Sequence, residues 1–176
     1  MHEARRRFQA QEYYVPEMLL ACRAMKAAMN QIRPRLVASG FPPTARVCVI
    51  SLAYQPEDAT GWLVADILEG SGFEVIRSTL AVAEANLAEQ CRTAEVAVVV
   101  FVAPMVPYSR GSTWLHSPIR AAVERLCRDC GKYGSKTILV GGDLGHGDES
   151  GVNAHVDDFA DVEAVVERMT QGSAPA

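Results

Sequence analysis

The sequence predicts an α/β protein in which a five-stranded parallel sheet carries helices on both faces. Apolar strand-like runs alternate with segments of helical periodicity along residues 46–169, and successive strand–helix–strand units form parallel sheets through right-handed crossovers. The run from Val96 to Val102 is apolar at every position, which is typical of a strand covered on both faces. The chain has 176 residues, so one compact domain with short extensions is expected.

The N-terminal part is predicted to be helical and to precede the sheet. Between Pro16 and Ile32 apolar residues recur at steps of three and four, which forms one helical face. Pro16 is tolerated in a first helical turn, whereas Pro34 predicts a stop or a kink. Turn-forming residues at 38–44 make the best candidate linker. The expected division is a helical extension or partial cap (residues 1–40), an α/β domain (41–171) and a tail (172–176).

The α/β part divides into elements that follow one another closely. Strands are predicted at residues 46–52, 73–76, 96–102 and 137–140 and near His155, with helices at 58–69, 82–91, 118–130 and 161–169. Ligands of such sheets bind at the carboxyl ends of the strands, where the strand order reverses. The loops at 53–62, 103–117 and 141–151 are therefore the expected ligand-binding segments.

Composition and cysteine use exclude several classes of protein. The formal net charge is −4, so a broad basic surface for nucleic acid or an anionic membrane is not expected. An odd number of cysteines, five, lies scattered in apolar stretches, which is typical of reduced thiols used as small hydrophobic residues. The basic N-terminus is followed by no apolar segment, so no signal peptide is predicted. These observations favour a cytoplasmic protein.

Several segments together carry a resemblance to a known family. The segment YYVPEMLLACRAMKAAMNQIRPRL resembles the last helices of the cap in methyltransferase-type corrinoid proteins. The α/β part resembles the vitamin B12-binding domain that follows such a cap, through RVCVISL, LEGSGFEVI, the apolar third strand, ILVGG and NAHVDDFADVEAVVERM. The resemblance spans roughly residues 13–170 and implies a flavodoxin-like (Rossmann-like) domain that binds cobalamin. About half of the family's four-helix cap fits before Gly40.

The lower ligand of cobalt is the main departure from the family. Its members carry Asp-x-His-x-x-Gly after the first strand, and the histidine replaces the nucleotide base as cobalt ligand. Aligned without a gap, the three positions hold Gln55, Glu57 and Thr60. A shift by one residue places Gly61 at the glycine, and again supplies no histidine. A carboxylate is a harder ligand than neutral imidazole, and the aspartate that orients the histidine is missing too.

Of two further family features, one is missing from this sequence and one is present. A serine or threonine in the third strand of the family faces the nucleotide tail of the cofactor, and here that position falls near Val100. A glycine pair after the fourth strand lets the tail pass close to the backbone, and it is present as Gly141 and Gly142. The cofactor contacts that the resemblance implies are Gln55, Glu57, Thr60, Gly61, Val100, Met105, His116, Gly141 and Gly142.

Some of these candidates also have an ordinary structural interpretation. Glu57 could ligate a metal or act as a base, but an acidic residue before a helix is favourable there by itself. His116, in the long loop, is a candidate axial ligand or a partly buried hydrogen-bonded histidine, and His155 is expected to be structural. Cys127 and Cys130 form a C-x-x-C at the C-terminal end of a helix, where the helix dipole disfavours a thiolate, so neither redox chemistry nor a metal site is predicted there.

Three functional hypotheses follow, and none includes a catalytic residue. The sequence contains no Gly-x-Ser-x-Gly, phosphate loop or dinucleotide fingerprint, so an enzyme is not favoured. The first hypothesis is an accessory or regulatory module that binds cobalamin, or heme as the alternative tetrapyrrole, without a lower histidine. The second is a degenerate domain that acts by protein contacts, as a homodimer through the Pro16–Ile32 helix. The third is a corrinoid methyl carrier that works with a methyltransferase.

Overall fold

The computed structural model describes residues 2–40, 44–52, 60–103, 117–141 and 151–171. The helices are α1 (His2–Gln9), α2 (Val15–Ala38), α3 (Thr60–Gly70), α4 (Leu80–Thr93), α5 (Ser117–Gly131) and α6 (Val162–Gln171), with a 3-10 turn at Phe159–Asp161. The strands are β1 (Arg46–Ser51), β2 (Glu74–Thr79), β3 (Val98–Val102), β4 (Lys136–Val140) and β5 (Ala154–Val156). Among the described helices, none has the length and apolar character that crossing a bilayer requires.

The five strands form one sheet in the order β2-β1-β3-β4-β5, and every neighbouring pair is parallel. The predicted fold class is therefore confirmed. From β1 the chain first moves outward to β2 and then returns to the other side of β1 to form β3. The strand order thus reverses between β1 and β3, which is the position where α/β sheets bind ligands.

Two hydrophobic cores cover the two faces of the sheet. Alternate residues of β1 point to opposite sides, so that Val47 and Val49 face α3 and α6, while Cys48 and Ile50 face α4 and α5. The N-terminal helices lie on the α3 and α6 side, where Met18 of α2 is almost completely buried in the first core. The sheet is thus buried on both faces, as the continuous apolar run in β3 predicts.

The extent of α2 differs from the prediction at Pro34. The helix continues through this residue to Ala38, where a stop or a kink was expected. Proline removes only its own backbone N–H from the helix, and a tertiary contact lies directly beside it. The Arg33 guanidinium donates to the Phe73 carbonyl at 2.9 Å, which holds this part of α2 against the α/β domain. The prediction of a stop at Pro34 was therefore wrong.

A cluster of four charged residues joins α2, α3 and β2. Lys26 Nζ lies 3.0 Å from the Glu69 carboxylate and 3.5 Å from that of Asp66. Arg77 contacts both carboxylates from β2, and its guanidinium stacks 5.4 Å from the centre of the Trp62 ring. The two carboxylates are mostly buried, with side-chain exposures of 13% and 17%. Each therefore depends on its cationic partners.

We expect Arg77→Gln to lower the free energy of unfolding by about 2 kcal/mol, because it leaves two adjacent, mostly buried carboxylates with Lys26 alone. Urea denaturation followed by circular dichroism measures this change. The matched control is Arg92→Gln, which breaks an exposed pair with Glu89 on one helix and should leave the urea midpoint unchanged. Equal effects of the two substitutions would contradict the role given to the cluster.

Candidate functional site

The carboxyl edge of the sheet is extended by backbone hydrogen bonds beyond the strands. Leu52 N–H donates to the Val102 carbonyl at 2.9 Å, and Ala103 N–H donates to the Val140 carbonyl at 2.9 Å. Gly141 N–H continues the series by donating to the Val156 carbonyl at 2.8 Å. The last described residues after β1, β3 and β4 are therefore hydrogen-bonded to the neighbouring strand at this edge.

Gly61 brings the start of α3 against the end of β1. A Cβ placed on Gly61 would lie 2.9 Å from Cβ and 3.3 Å from Oγ of Ser51, closer than real side chains pack. A glycine is therefore needed for this close approach of helix and strand. Thr60 is the first residue of the same helix. Gly61 thus has a packing role, and Ser51, which the sequence analysis did not consider, is the residue it contacts.

Gly141 forms the corresponding turn at the end of β4. Its φ of +65° lies in the left-handed region, where glycine is favoured over residues with a side chain. A Cβ at this position would lie 3.9 Å from the Ala103 Cβ and carbonyl oxygen, which is ordinary contact. The backbone conformation, and not crowding, therefore accounts for a glycine here.

An imidazole lies at this edge on the last strand. His155 Nε2 is 3.4 Å from the Gly141 carbonyl oxygen, and Nδ1 is 3.4 Å from the Asp157 carboxylate. A carboxylate partner is what orients many metal-binding histidines in proteins. The sequence analysis expected His155 to be structural, and its H-x-D spacing with Asp157 was the signal that it did not use. In the described part of the chain, no three His, Cys, Asp or Glu residues gather into a potential metal site.

Val100 lies at the centre of the sheet, in register with Val49 of β1 and Ile138 of β4. It is fully buried in the first core, where α3 contributes Val64 and α6 contributes Val166. A nucleotide tail passing beside Val100 would have to displace these packed side chains. The position offers a tail neither a hydrogen bond nor open space.

A shallow hollow of about 330 Å³ lies at the same edge on the opposite face of the sheet. Leu52 and Thr79 from the strand ends line it, together with Leu80 of α4 and Ile119 of α5. Its charged group is Glu84, which also forms an ion pair with Arg125 across the two helices. The hollow is within the size range of small-molecule sites and is mainly apolar.

Comparisons with known proteins agree with this architecture. A profile of the B12 binding domain matches residues 1–33, which are α1 and most of α2. A novel cobalamin-binding protein from Desulfitobacterium hafniense DCB-2 has a TM-score of 0.63 at 15% identity, over 93% of this chain and 75% of that one. The resemblance to the B12-binding domain is confirmed.

A second solved structure also has a similar fold. The methanol:cobalamin methyltransferase complex from Methanosarcina barkeri has a TM-score of 0.70 at 14% identity. The match covers 96% of this chain and 62% of that one, so this chain spans less than two thirds of its length. At the level of sequence, no curated protein matches the chain.

The described residues fit a B12 cofactor only in part. Gly61 and Gly141 keep the backbone permissive at the ends of β1 and β4, as the resemblance implies. Val100 does not supply the hydrogen bond that the family places in the third strand. Thr60 is the first residue of α3. The other five implied contacts lie outside the described residues: Gln55, Glu57, Met105, His116 and Gly142.

The close contact at Gly61 leads to a stability prediction. We expect Gly61→Ala to lower the free energy of unfolding by about 1–3 kcal/mol, because the new methyl group would overlap Ser51. Gly131→Ala is the matched control, since no atom lies within 4 Å of a Cβ at that helical position. Urea midpoints measure both changes.

The same contact allows a rescue experiment. Adding Ser51→Gly to Gly61→Ala removes the atoms that the methyl group meets, so part of the lost stability should return. If the changes in the free energy of unfolding caused by the two substitutions simply add, Ser51 is not the cause of the loss in Gly61→Ala.

Proposed function

We propose that this chain binds a cobalamin at the carboxyl edge of its sheet, as an accessory or regulatory module, and that the cofactor keeps its own nucleotide base on cobalt. The B12-binding fold and the N-terminal match to the B12 binding domain support the choice of ligand. The left-handed turn at Gly141 supports a close approach of the cofactor to the backbone at the end of β4.

The packing around Val100 is the observation that carries the second part of the proposal. In the related domains, a protein histidine takes the place of the base, and the freed tail lies beside the third strand. Here Val100 is completely buried between Val49 and Ile138, and residues 53–61 contain no histidine. A tail moved into this layer would lose its own base–cobalt bond and gain neither a hydrogen bond nor a replacement ligand. The base is therefore favoured to stay on cobalt.

The loops at the carboxyl edge would supply the contacts with the corrin ring. Gly61 and Gly141 follow β1 and β4 at this edge, and in the sequence Glu57 comes after β1 and His116 after β3. Bound cobalamin supplies a cobalt centre that carries alkyl groups. No residue of this chain is assigned to a catalytic step, which favours sensing or tethering of the cofactor over turnover.

Two other functions remain as measurable alternatives. An interaction module without a cofactor is supported by the closed layer at Val100 and by the exposed apolar side chains of α2, Leu20 (65%) and Val37 (50%). A corrinoid methyl carrier is supported by the structural match to the methanol:cobalamin methyltransferase complex. The carrier hypothesis expects a methyltransferase as partner, whereas the interaction module expects a protein partner or a second copy.

Retention of cobalamin on a desalting column tests the proposal directly. Purified protein is mixed with hydroxocobalamin or methylcobalamin, desalted, and its visible spectrum recorded. We expect the colour to elute with the protein at about one cofactor per chain, and the spectrum of methylcobalamin to remain that of the form with its base bound. A colourless protein fraction contradicts both cobalamin hypotheses and leaves the interaction module. A parallel titration with heme tests the alternative tetrapyrrole.

Two substitutions test which group binds cobalt. If the protein supplies no imidazole, His155→Ala leaves the spectrum of the retained cobalamin unchanged, although His155 and Asp157 lie at the same edge. Glu57→His introduces an imidazole at the family's ligand position and should shift the spectrum. A spectral change in His155→Ala would mean that this histidine is a ligand and that the base does not stay on cobalt.

A further inference from the structure

Two cysteines on neighbouring helices are in direct contact in the second core. Cys91 of α4 and Cys130 of α5 have their Sγ atoms 3.6 Å apart, although 39 residues separate them in the chain. A disulfide needs about 2.05 Å between sulfur atoms, so the two would have to approach by about 1.5 Å. At the present distance the two sulfur atoms are in direct contact, so closing the gap takes a rotation of the side chains and a shift of the helices towards each other.

A surface hollow gives access to one member of the pair. The hollow has a volume of about 300 Å³, lies at the amino edge of the sheet, and is lined by Cys91, Arg92, Glu95 and Tyr133, among others. Cys130 does not line it and is completely buried behind Cys91. Cys91 is itself 3% exposed, so an oxidant as small as hydrogen peroxide that enters the hollow would meet Cys91 before Cys130.

The two thiols also differ in acidity. Hydrogen bonding with Cys130, helped by Ser135, lowers the pKa of Cys91 to about 7 in spite of burial. The same contact, together with burial, raises the pKa of Cys130. Burial raises the pKa of Cys48 to about 12 and that of Cys127 to about 11. Of these four thiols, Cys91 is the one that is partly ionised near neutral pH.

We propose that Cys91 and Cys130 form a redox-active dithiol that a hydroperoxide converts into an intramolecular disulfide joining α4 to α5. The sequence predicts no redox chemistry for the C-x-x-C of Cys127 and Cys130, and the proposed disulfide does not join these two residues. The partner of Cys130 is Cys91, which sequence spacing does not reveal.

Hydrogen peroxide is the oxidant in the proposed step. The Cys91 thiolate attacks one peroxide oxygen, so that an S–O bond forms, the O–O bond breaks, and hydroxide leaves. Cys130 Sγ then attacks Cys91 Sγ, forming the S–S bond and expelling hydroxide from the sulfenic acid. The protons released by the two thiols convert both hydroxides to water. Overall, two thiols and one peroxide give one disulfide and two waters.

Thiol counting and peptide mapping on the full chain test this proposal without any cofactor. The folded protein is treated with hydrogen peroxide, denatured and alkylated. We expect the number of free thiols to fall from five to three and the Cys91 and Cys130 peptides to be linked, with reversal by dithiothreitol. Five remaining thiols, a bridge that involves another cysteine, or sulfinic acid at Cys91 without a bridge would overturn the proposal.

Matched variants assign the effect to the pair. Cys91→Ala and Cys130→Ala should each abolish the bridge, whereas Cys48→Ala, from the same buried core, should still form it. Circular dichroism verifies that each variant is folded. If a variant does not fold, the peptide map of the peroxide-treated chain without substitutions shows whether Cys91 and Cys130 are linked. A bridge rate that rises through about pH 7 is expected of Cys91, and an unchanged bridge in Cys91→Ala contradicts its role.

Discussion

The burial of β3 on both faces is the constraint on which the rest of this structure depends. Val98, Val100 and Val102 pack toward α3 and α6, while Val99 and Phe101 pack toward α4 and α5. A strand without a polar face is stable only when helices cover both sides, and this requires the crossover connections of a parallel sheet. The same requirement places the loops after β1 and β3 at one edge, where the strand order reverses.

The carboxyl edge and the amino edge of the sheet carry different chemical groups: glycine-containing backbone at the first and a pair of thiols at the second. At the carboxyl edge, the left-handed turn at Gly141 and the close packing of Gly61 on Ser51 leave backbone near the crevice. At the amino edge, the C-terminal ends of α4 and α5 bring Cys91 against Cys130. A ligand site that depends on backbone shape and a thiol pair that depends on helix packing can therefore exist in one small domain and be tested separately.

Local sequence was sufficient for the fold but not for the contacts between distant segments. The alternation of strands and helices follows from periodicity, which each segment carries by itself. The hydrogen bond from Arg33 of α2 to the Phe73 carbonyl joins residues 40 positions apart, and no local pattern contains it. The pairing of Cys91 with Cys130 is of the same kind. At the site, the packing of Gly61 on Ser51 and the position of His155 beside Gly141 appeared only when α3 was placed against β1 and β4 was paired with β5.

The residue at position 100 can stabilise the core or contact a cofactor tail, but it cannot do both. A threonine there would place a hydroxyl among Val49, Ile138 and the side chains of α3 and α6, and burying an unpaired hydroxyl costs about 1–3 kcal/mol. The hydroxyl is compensated only when a tail accepts its hydrogen bond, and the tail comes only when a histidine has replaced the base on cobalt. Because residues 53–61 contain no histidine, a buried hydroxyl at position 100 would lower the stability of the fold without a compensating hydrogen bond. Under the proposed function, the valine at position 100 and the absence of a histidine in residues 53–61 would belong to one physical arrangement, in which the sheet is closed and a bound cobalamin keeps its base on cobalt.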